Sequence, residues 1–255
     1  MDPIPFPSNR DPNLVFVGMP TRDGAMSLAT RILFDLVGDG KRLGPYTFIS
    51  RLYAGYDTAT ARNQLTAVAL GTRASKMLLL DSDMGGGEPQ VLRILGHKEA
   101  IVGGLYPKKE LSINPKWVCN FIGFGKRPDG LAEALDVGAG FLKVDLAAVE
   151  WMISENPDAA YLSEEDWNRG ARVWALWDPL VAEDDWGLTG RWTRRLSDDF
   201  AFCYRARRAG LKVWVDTVCQ LGHVGPVDFL EVMTLLQLVT APADAAPRDP
   251  ASPRA

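Results

Sequence analysis

The residues with the clearest chemical potential are Asp81-Ser82-Asp83, which directly follow the apolar run 77–80. Side chains alternate along an extended chain, so Asp81 and Asp83 can point the same way. Carboxylate oxygens are the ligands that Mg²⁺ and Mn²⁺ prefer, and the glycine-rich turn 84–87 follows at once. The pattern indicates a metal site that carries substrate phosphates. A strand-end loop with two solvated acids is the alternative interpretation.

Two further groups could take part in the same chemistry. Asp198 and Asp199 precede a predicted helix, where acids are favoured by capping and by the helix dipole. Two adjacent acids exceed what capping needs, so one can act as a general base toward a hydroxyl. His223 lies between glycines and is either a turn residue or a third Mn²⁺ ligand. We expect His97 to be an exposed helix end without a role.

The segment Pro20-Thr21-Arg22-Asp23 follows the first predicted strand. In open α/β sheets, ligands bind beyond the carboxyl ends of the strands. Thr and Asp can hydrogen-bond a nucleobase or ribose, and Arg can bind phosphate. The segment lacks both the GxGxxG and the GxxxxGK[ST] patterns, so it supports neither dinucleotide nor Walker-type binding. A plain turn is the alternative.

The polar pair Arg62 and Asn63 lies in a predicted helix among Ala, Leu and Val. A solvated helix face would explain these two residues as well as a functional role would. Their position just before the strand that ends in Asp81 nevertheless makes them candidates for the same site.

Strands and helices alternate through the first 106 residues. Hydrophobic periodicity and turn residues predict strands at 14–19, 47–52, 77–80 and 100–106, and helices at 25–37, 59–70 and 88–95. Such alternation is typical of an α/β sheet with parallel strands.

The second half is less regular. We expect a strand pair at 117–125, a strand with a glycine break at 136–144, helices at 145–153 and 200–209, and a strand at 213–215. The stretch 155–197 has no clear period and is predicted to be a long functional loop or lid. We divide the chain into a lead-in (1–13), one domain (14–240, with halves 14–106 and 107–240) and a disordered tail (241–255).

Composition bounds the class of protein. The 255 residues are 47% hydrophobic and 24% charged, as in globular domains. A net charge of −4 gives no electrostatic argument for a nucleic-acid or anionic membrane surface. The three cysteines are widely spaced and suggest neither a disulfide framework nor a zinc site. We expect a cytoplasmic protein, because neither a signal peptide nor an apolar stretch of about twenty residues is present.

Taken in order, these motifs resemble those of GT-A fold, nucleotide-sugar-dependent glycosyltransferases of the family 2 type. The matching segments are 15–21, 61–63, 78–84, 101–109, 137–141, 197–203 and 213–225. The resemblance implies a single α/β domain with a Rossmann-like, mixed, mainly parallel central sheet flanked by helices. It also implies hexosyltransferase activity.

The resemblance further implies a role for each matching residue. Asp81-Ser82-Asp83 would be the DxD motif, with Asp83 as the main Mn²⁺ or Mg²⁺ ligand, Asp81 near the ribose or the metal, and His223 completing the metal site. The residues implied to contact the donor are Pro20, Thr21, Arg22, Asp23, Arg62, Asn63, Asp81, Ser82 and Lys108. Those implied on the acceptor side are Gly138, Ala139, Gly140 and Trp186.

Asp198-Asp199 would occupy the place of the family's xED motif, whose last acid is the base in inverting members. Here Asp198 replaces the Glu. The loss of one methylene leaves open which acid reaches the acceptor and whether the reaction inverts.

The substrates implied are a nucleoside-diphosphate sugar, with a UDP-sugar favoured and GDP-mannose next, and a hydroxyl acceptor. The acceptor could be a glycan, a lipid-linked sugar, a protein side chain, a metabolite or a modified nucleic-acid base. A nucleotidyltransferase or sugar-phosphate pyrophosphorylase is an alternative, disfavoured because segment 20–24 has one Gly and one Arg where those enzymes carry a glycine-rich, basic loop. A non-catalytic nucleotide-sugar-binding domain is a third hypothesis.

Overall fold

The structure is a computed structural model that describes residues 6–22, 24–55, 57–110, 116–122, 125–185, 191–225, 228–232 and 234. The strands are β1 (Asp11–Thr21), β2 (Arg42–Leu43), β3 (Tyr46–Ala54), β4 (Ala74–Leu80), β5 (Met84–Gly85), β6 (Ile101–Leu105), β7 (Cys119–Phe121), β8 (Leu131–Val137), β9 (Phe141–Asp145), β10 (Ala160–Leu162), β11 (Arg172–Trp174), β12 (Leu180–Asp185), β13 (Arg191–Leu196), β14 (Val213–Gln220) and β15 (Gly222–His223). The helices are α1 (Leu28–Val37), α2 (Thr58–Leu70), α3 (Glu88–Gly96), α4 (Leu146–Glu155) and α5 (Asp198–Arg208), with a 3-10 turn at Pro157–Ala159.

Nine strands form the central sheet, in the order β2-β3-β1-β4-β9-β6-β14-β8-β7. β1 pairs in parallel with β3 and β4, and β6 pairs in parallel with β14. The remaining neighbours are antiparallel, so β1, β3, β4, β6, β7 and β14 share one direction and β2, β8 and β9 oppose it. The predicted fold class, an α/β domain with a mixed, mainly parallel central sheet flanked by helices, is confirmed.

Helices cover both faces of this sheet. The position of β4 between these helices explains why its residues 77–80 are all apolar. Met77 and Leu79 pack into one core cluster, which includes buried residues of α2, α4 and α5. Leu78 and Leu80 pack into the other, which includes buried residues of α1 and α3. A central strand covered on both faces needs apolar side chains at successive positions. The chain turns polar at Asp81, directly after β4 ends.

Several elements differ from the sequence-based expectation. β1 begins at Asp11, inside the predicted lead-in, and Arg10 donates to the carbonyl oxygen of Ala74 at 2.7 Å. The predicted strand with a glycine break is two strands, β8 and β9. The aperiodic stretch 155–197 contains two hairpins, β10–β11 and β12–β13, whose strands either are too short or do not alternate apolar and polar residues. The predicted tail lies outside the described residues.

His97 is also placed differently from our expectation. Its side chain is 12% exposed, and its Nε2 lies 2.7 Å from Oδ2 of the fully buried Asp216. It is therefore part of a buried polar contact that joins the end of α3 to β14. Of the helices in the described part of the chain, none combines the length and apolar character that a membrane crossing requires.

Candidate functional site

A polar cleft of about 340 Å³ lies where β1, β3 and β4 end. These strands are parallel neighbours, so their carboxyl ends open at the same edge of the sheet. The cleft is lined by Pro20, Thr21, Arg22, Gly55, Thr58, Ala61, Asp81, Ser82 and Asp83. The structure therefore brings five residues predicted to contact the donor, together with Asp83, to one cavity. Asp23 lies outside the described residues.

Asp81 is held by a buried arginine. Arg62 Nη2 donates to both carboxylate oxygens of Asp81, at 3.0 and 2.9 Å, and Nη1 donates to Asp198. The guanidinium is 4% exposed and lies 5.6 Å from the centroid of the Trp177 ring. Burial raises the pKa of Asp81 more than the Arg62 charge lowers it. Arg62 thus links the first acid of the DxD motif to the first acid of α5.

Asp83 has a different set of neighbours. Its Oδ2 accepts a hydrogen bond from Lys109 Nζ at 2.6 Å and lies 3.7 Å from His223 Nε2. Its Oδ1 is buried and has no hydrogen-bond partner among the described residues. Burial acts to raise the pKa of Asp83, but His223 and Lys109 together bring it below its usual value. Asp83 is therefore a carboxylate at neutral pH.

The orientation of the His223 ring is fixed from behind. Nδ1 lies 2.7 Å from the carbonyl oxygen of Pro107, which can only accept, so Nδ1 carries a proton. Tyr106 packs edge-on against the imidazole, with ring centroids 5.2 Å apart. This arrangement directs Nε2 toward Asp83, as in metal sites where the second ring nitrogen donates to a carbonyl.

These contacts show which residues fit a divalent cation. Two metal–ligand bonds of about 2.1 Å each can span the gap between Asp83 and His223. Asp83 Oδ1 adds a hard oxygen that has no donor among the residues described by the structure. Asp81 is not drawn into this group, because Arg62 binds both of its oxygens. Within the described ranges, no three His, Cys, Asp or Glu side chains are grouped so that they could hold a metal, so the predicted triad is assembled only in part.

The two acids at the start of α5 differ in their contacts. Asp198 pairs with Arg62, whereas Asp199 Oδ1 accepts from the Ser197 hydroxyl and from the backbone N–H of Phe200 at 2.9 Å. Burial raises the pKa of Asp199, although the Arg62 charge opposes that shift. Among the described residues, Asp198 therefore forms an ion pair with Arg62, whereas Asp199 has hydrogen bonds only.

The polar residues of α2 require a correction. Arg62, Asn63 and Gln64 are all buried, so they do not form a solvated helix face. Asn63 Nδ2 donates to Asp178 at 2.6 Å, and Asn63 Oδ1 accepts from the Trp177 backbone N–H at 3.0 Å. Because both ends of this amide hold the segment 177–178, Asn63 is not available to a donor in the cleft.

Three residues predicted on the acceptor side lie in a buried turn between β8 and β9. Gly138, Ala139 and Gly140 are buried, and the backbone N–H of Gly140 donates to the Tyr106 hydroxyl at 2.9 Å. A Cβ on Gly138 would lie 2.1 Å from that hydroxyl oxygen. The Tyr106 side chain therefore accounts for the small residues at Gly138 and Gly140, and their place on the acceptor side stays a prediction. Trp186 lies outside the described residues.

Lys109 is the functional candidate that the sequence reasoning missed. Both Lys108, which we predict near the nucleotide, and Lys109 are exposed, and it is Lys109 that makes the contact with Asp83. The only signal in the sequence was the pair of adjacent lysines after β6. Their side-chain directions depend on how the backbone leaves the strand.

The fold and this cleft define a class: an α/β domain with a carboxylate-bearing cleft at the carboxyl ends of its parallel strands, and with a histidine, His223, beside Asp83. No protein-family model and no curated protein sequence matches the chain. Among solved structures, it is similar to the crystal structure of A197 from STIV, at 13% identity and a TM-score of 0.45, over 84% of this chain and 86% of that one.

The chain is also similar to GalNAc-T7 with UDP, GalNAc and Mn²⁺, at 10% identity and a TM-score of 0.45. That likeness covers 87% of this chain and 47% of the other, so the chain spans about half of that structure. Likeness at this level establishes nothing about activity.

Proposed function

We propose that the protein is a metal-dependent glycosyltransferase that moves a sugar from a nucleoside diphosphate to a hydroxyl acceptor. The observation that carries the proposal is the pairing of Asp83 and His223 at one end of the cleft. One oxygen of the Asp83 carboxylate is buried and has no donor among the described residues, and the other lies 3.7 Å from Nε2 of His223, whose ring is fixed by Pro107. Such a pair favours a divalent cation, Mn²⁺ or Mg²⁺, at the point where a diphosphate would lie.

The rest of the cleft suits a nucleotide. Its volume of about 340 Å³ is within the range of small-molecule sites. Arg22 can form charge-assisted hydrogen bonds to phosphate, Ser82 offers a hydroxyl group to a ribose or base, and Thr21, whose hydroxyl donates to the carbonyl oxygen of Ala25 at 3.0 Å, can accept a hydrogen bond. From the family resemblance, we favour a UDP-sugar as the donor and place GDP-mannose next.

The proposed reaction divides the work among the residues of this chain. Asp83 and His223 hold the cation, and Arg62 fixes the Asp81 carboxylate beside it. When bound, the cation neutralises negative charge on the departing diphosphate. Asp199 accepts the proton of the acceptor hydroxyl as the new bond to the anomeric carbon forms and the bond to the diphosphate breaks.

Thermal unfolding with UDP-, GDP-, CDP- and dTDP-sugars, each with and without Mn²⁺, tests the proposal. A ligand that binds only the folded state raises the unfolding temperature. We expect a Mn²⁺-dependent rise with one nucleotide family in the wild type and in Asp158→Asn, an exposed control far from the cleft in sequence. If none of the sugar nucleotides raised the unfolding temperature, with or without Mn²⁺, the proposal would be contradicted.

A further inference from the structure

We infer that Lys109 competes with the divalent cation for Asp83 and, once displaced, binds the diphosphate of the donor. This inference rests on the proposed function. It assigns to Lys109 two alternative partners, the Asp83 carboxylate and the substrate phosphates, and it makes the entry of the cation and the binding of the donor one coupled exchange.

Lys109 and Asp83 form an ion pair that is partly exposed to solvent. Lys109 Nζ lies 2.6 Å from Asp83 Oδ2, and each side chain is 35% exposed. Ion pairs at this exposure are weak because water screens them and because the long lysine side chain must be ordered. The ion pair therefore forms in the absence of ligand, but a divalent cation can displace Lys109 from Asp83.

The Lys109 ammonium satisfies only one of the two carboxylate oxygens of Asp83. Lys109 binds Oδ2 only, while the buried Oδ1 has no partner among the described residues. His223 Nε2 lies 3.7 Å from the same Oδ2 that Lys109 occupies. A divalent cation between Asp83 and His223 would satisfy these groups together. It would also repel an ammonium bound to the same carboxylate, so the two cations cannot share Asp83.

Once displaced from Asp83, the Lys109 ammonium can move to the diphosphate of the donor. Lysine carries a compact charge on a flexible four-carbon stem, so the head group can move while the backbone stays in place. Arg62 cannot make such a move, because it is buried between Asp81 and Asp198. A diphosphate bound to the cation at Asp83 would lie within reach of Lys109 and would replace the carboxylate as its anionic partner.

The chain supplies a matched control in the adjacent residue. Lys108 has the same side chain and an exposed position, and its backbone N–H is bonded to the carbonyl oxygen of Lys116 at 2.7 Å. Lys108→Met removes one positive charge from the same short segment without touching the contact with Asp83. Comparison of the two variants separates a specific exchange from a general change of surface charge.

Titration of Mn²⁺ without nucleotide, followed by electron paramagnetic resonance, gives the first readout. We expect Lys109→Met to bind Mn²⁺ about three- to fivefold more tightly than the wild type, as for removal of one partly exposed ion pair that competes for Asp83. Lys108→Met should match the wild type. Unchanged or weaker Mn²⁺ binding by Lys109→Met would overturn the inference.

Calorimetric titration of UDP at saturating Mn²⁺ gives the second readout. Lys109→Met should bind UDP about tenfold more weakly, as for loss of one charge-assisted contact, and Lys109→Arg should restore most of that affinity. Equal UDP affinity in wild type and Lys109→Met would overturn the diphosphate contact. Tighter Mn²⁺ binding together with no nucleotide binding by any variant would uphold the competition for Asp83 and overturn the proposed function, so the two fail separately.

Discussion

Single residues in this cleft differ mainly in which partner satisfies each carboxylate. Asp81 is neutralised by the buried Arg62 and Asp83 by the more exposed Lys109, whereas Asp199 accepts hydrogen bonds from Ser197 and Phe200. Acids of the same type therefore have different tasks available to them. A permanent ion pair positions a side chain, an exchangeable one can be given up to a ligand, and an acid without an ion pair can accept a proton.

Replacing either proposed metal ligand should abolish Mn²⁺-dependent nucleotide binding. We expect Asp83→Ala and His223→Ala each to weaken Mn²⁺ binding by more than about 100-fold, since even residues that only orient ligands cost up to that factor. Direct Mn²⁺ titration, with circular dichroism to check the fold, measures the effect. Donor affinity that is unchanged in both variants would remove the basis of the metal assignment.

Replacing the proposed base should separate binding from transfer. Asp199→Asn should keep donor affinity, because Asp199 does not line the cleft, but should reduce transfer by about 10²–10⁴-fold, the range for loss of a general base. A transfer assay with the donor found by thermal unfolding checks this. Normal turnover by Asp199→Asn would mean that Asp198 is the general base or that no residue of the protein acts as one.

The same residue makes a prediction about pH. Burial raises the pKa of Asp199, and the side chain must be ionised to accept a proton. Activity should therefore fall as the pH drops through that raised pKa, at a pH above the value of about 3.9 for an ordinary Asp. The acid limb of kcat/KM against pH measures it, and a limb at the ordinary Asp value would count against Asp199 as the base.

At the scale of elements, α2 works as a buried connector. Arg62 reaches Asp81 and Asp198, Asn63 reaches the segment 177–178, and Gln64 Nε2 donates to Ser163 at 2.8 Å. Three consecutive polar residues of one helix thus join β4, α5 and the chain after α4. Trp177 extends this link, since its ring stacks on Phe202 of α5 with centroids 4.0 Å apart.

Removal of the central arginine should loosen that link. Arg62→Met would leave the Asp81 and Asp198 carboxylates without their cation, and we expect a loss of about 3 kcal/mol in the free energy of unfolding. Urea denaturation measures this loss, with Arg73→Met, an exposed residue just after α2, as the matched control. Equal stability of the two variants would show that Arg62 is not the connector.

The turn between β8 and β9 should be intolerant of a side chain. A Cβ on Gly138 would lie 2.1 Å from the Tyr106 hydroxyl oxygen and 2.6 Å from Val118 Cγ1, so Gly138→Ala should cost about 1–3 kcal/mol. Gly96→Ala is the matched control, because nothing lies within 4 Å of its added Cβ. A Gly138→Ala variant as stable as Gly96→Ala would show that the turn adjusts freely.

At the scale of the whole molecule, the order of elements and the place of the cleft were predictable. The apolar run of β4 and the abrupt change to Asp81 are local properties, and strand–helix alternation places the loops after β1, β3 and β4 at one edge of the sheet. The hairpins within 155–197 were not predictable, because β10 and β11 have only three residues each and the six-residue strands β12 and β13 do not alternate apolar and polar residues.

The sequence by itself determined the α/β class, the alternating strands and helices of the first 106 residues and the place of the cleft, because hydrophobic periodicity and strand polarity act over short distances. Only the tertiary structure decided the partners: Lys109 rather than Lys108 at Asp83, a structural role for Asn63, and a buried turn at 138–140. Arg62 and Asp198 are separated by 136 positions. Contacts at such separations depend on how the sheet and its helices pack, and no local pattern in the chain encodes them.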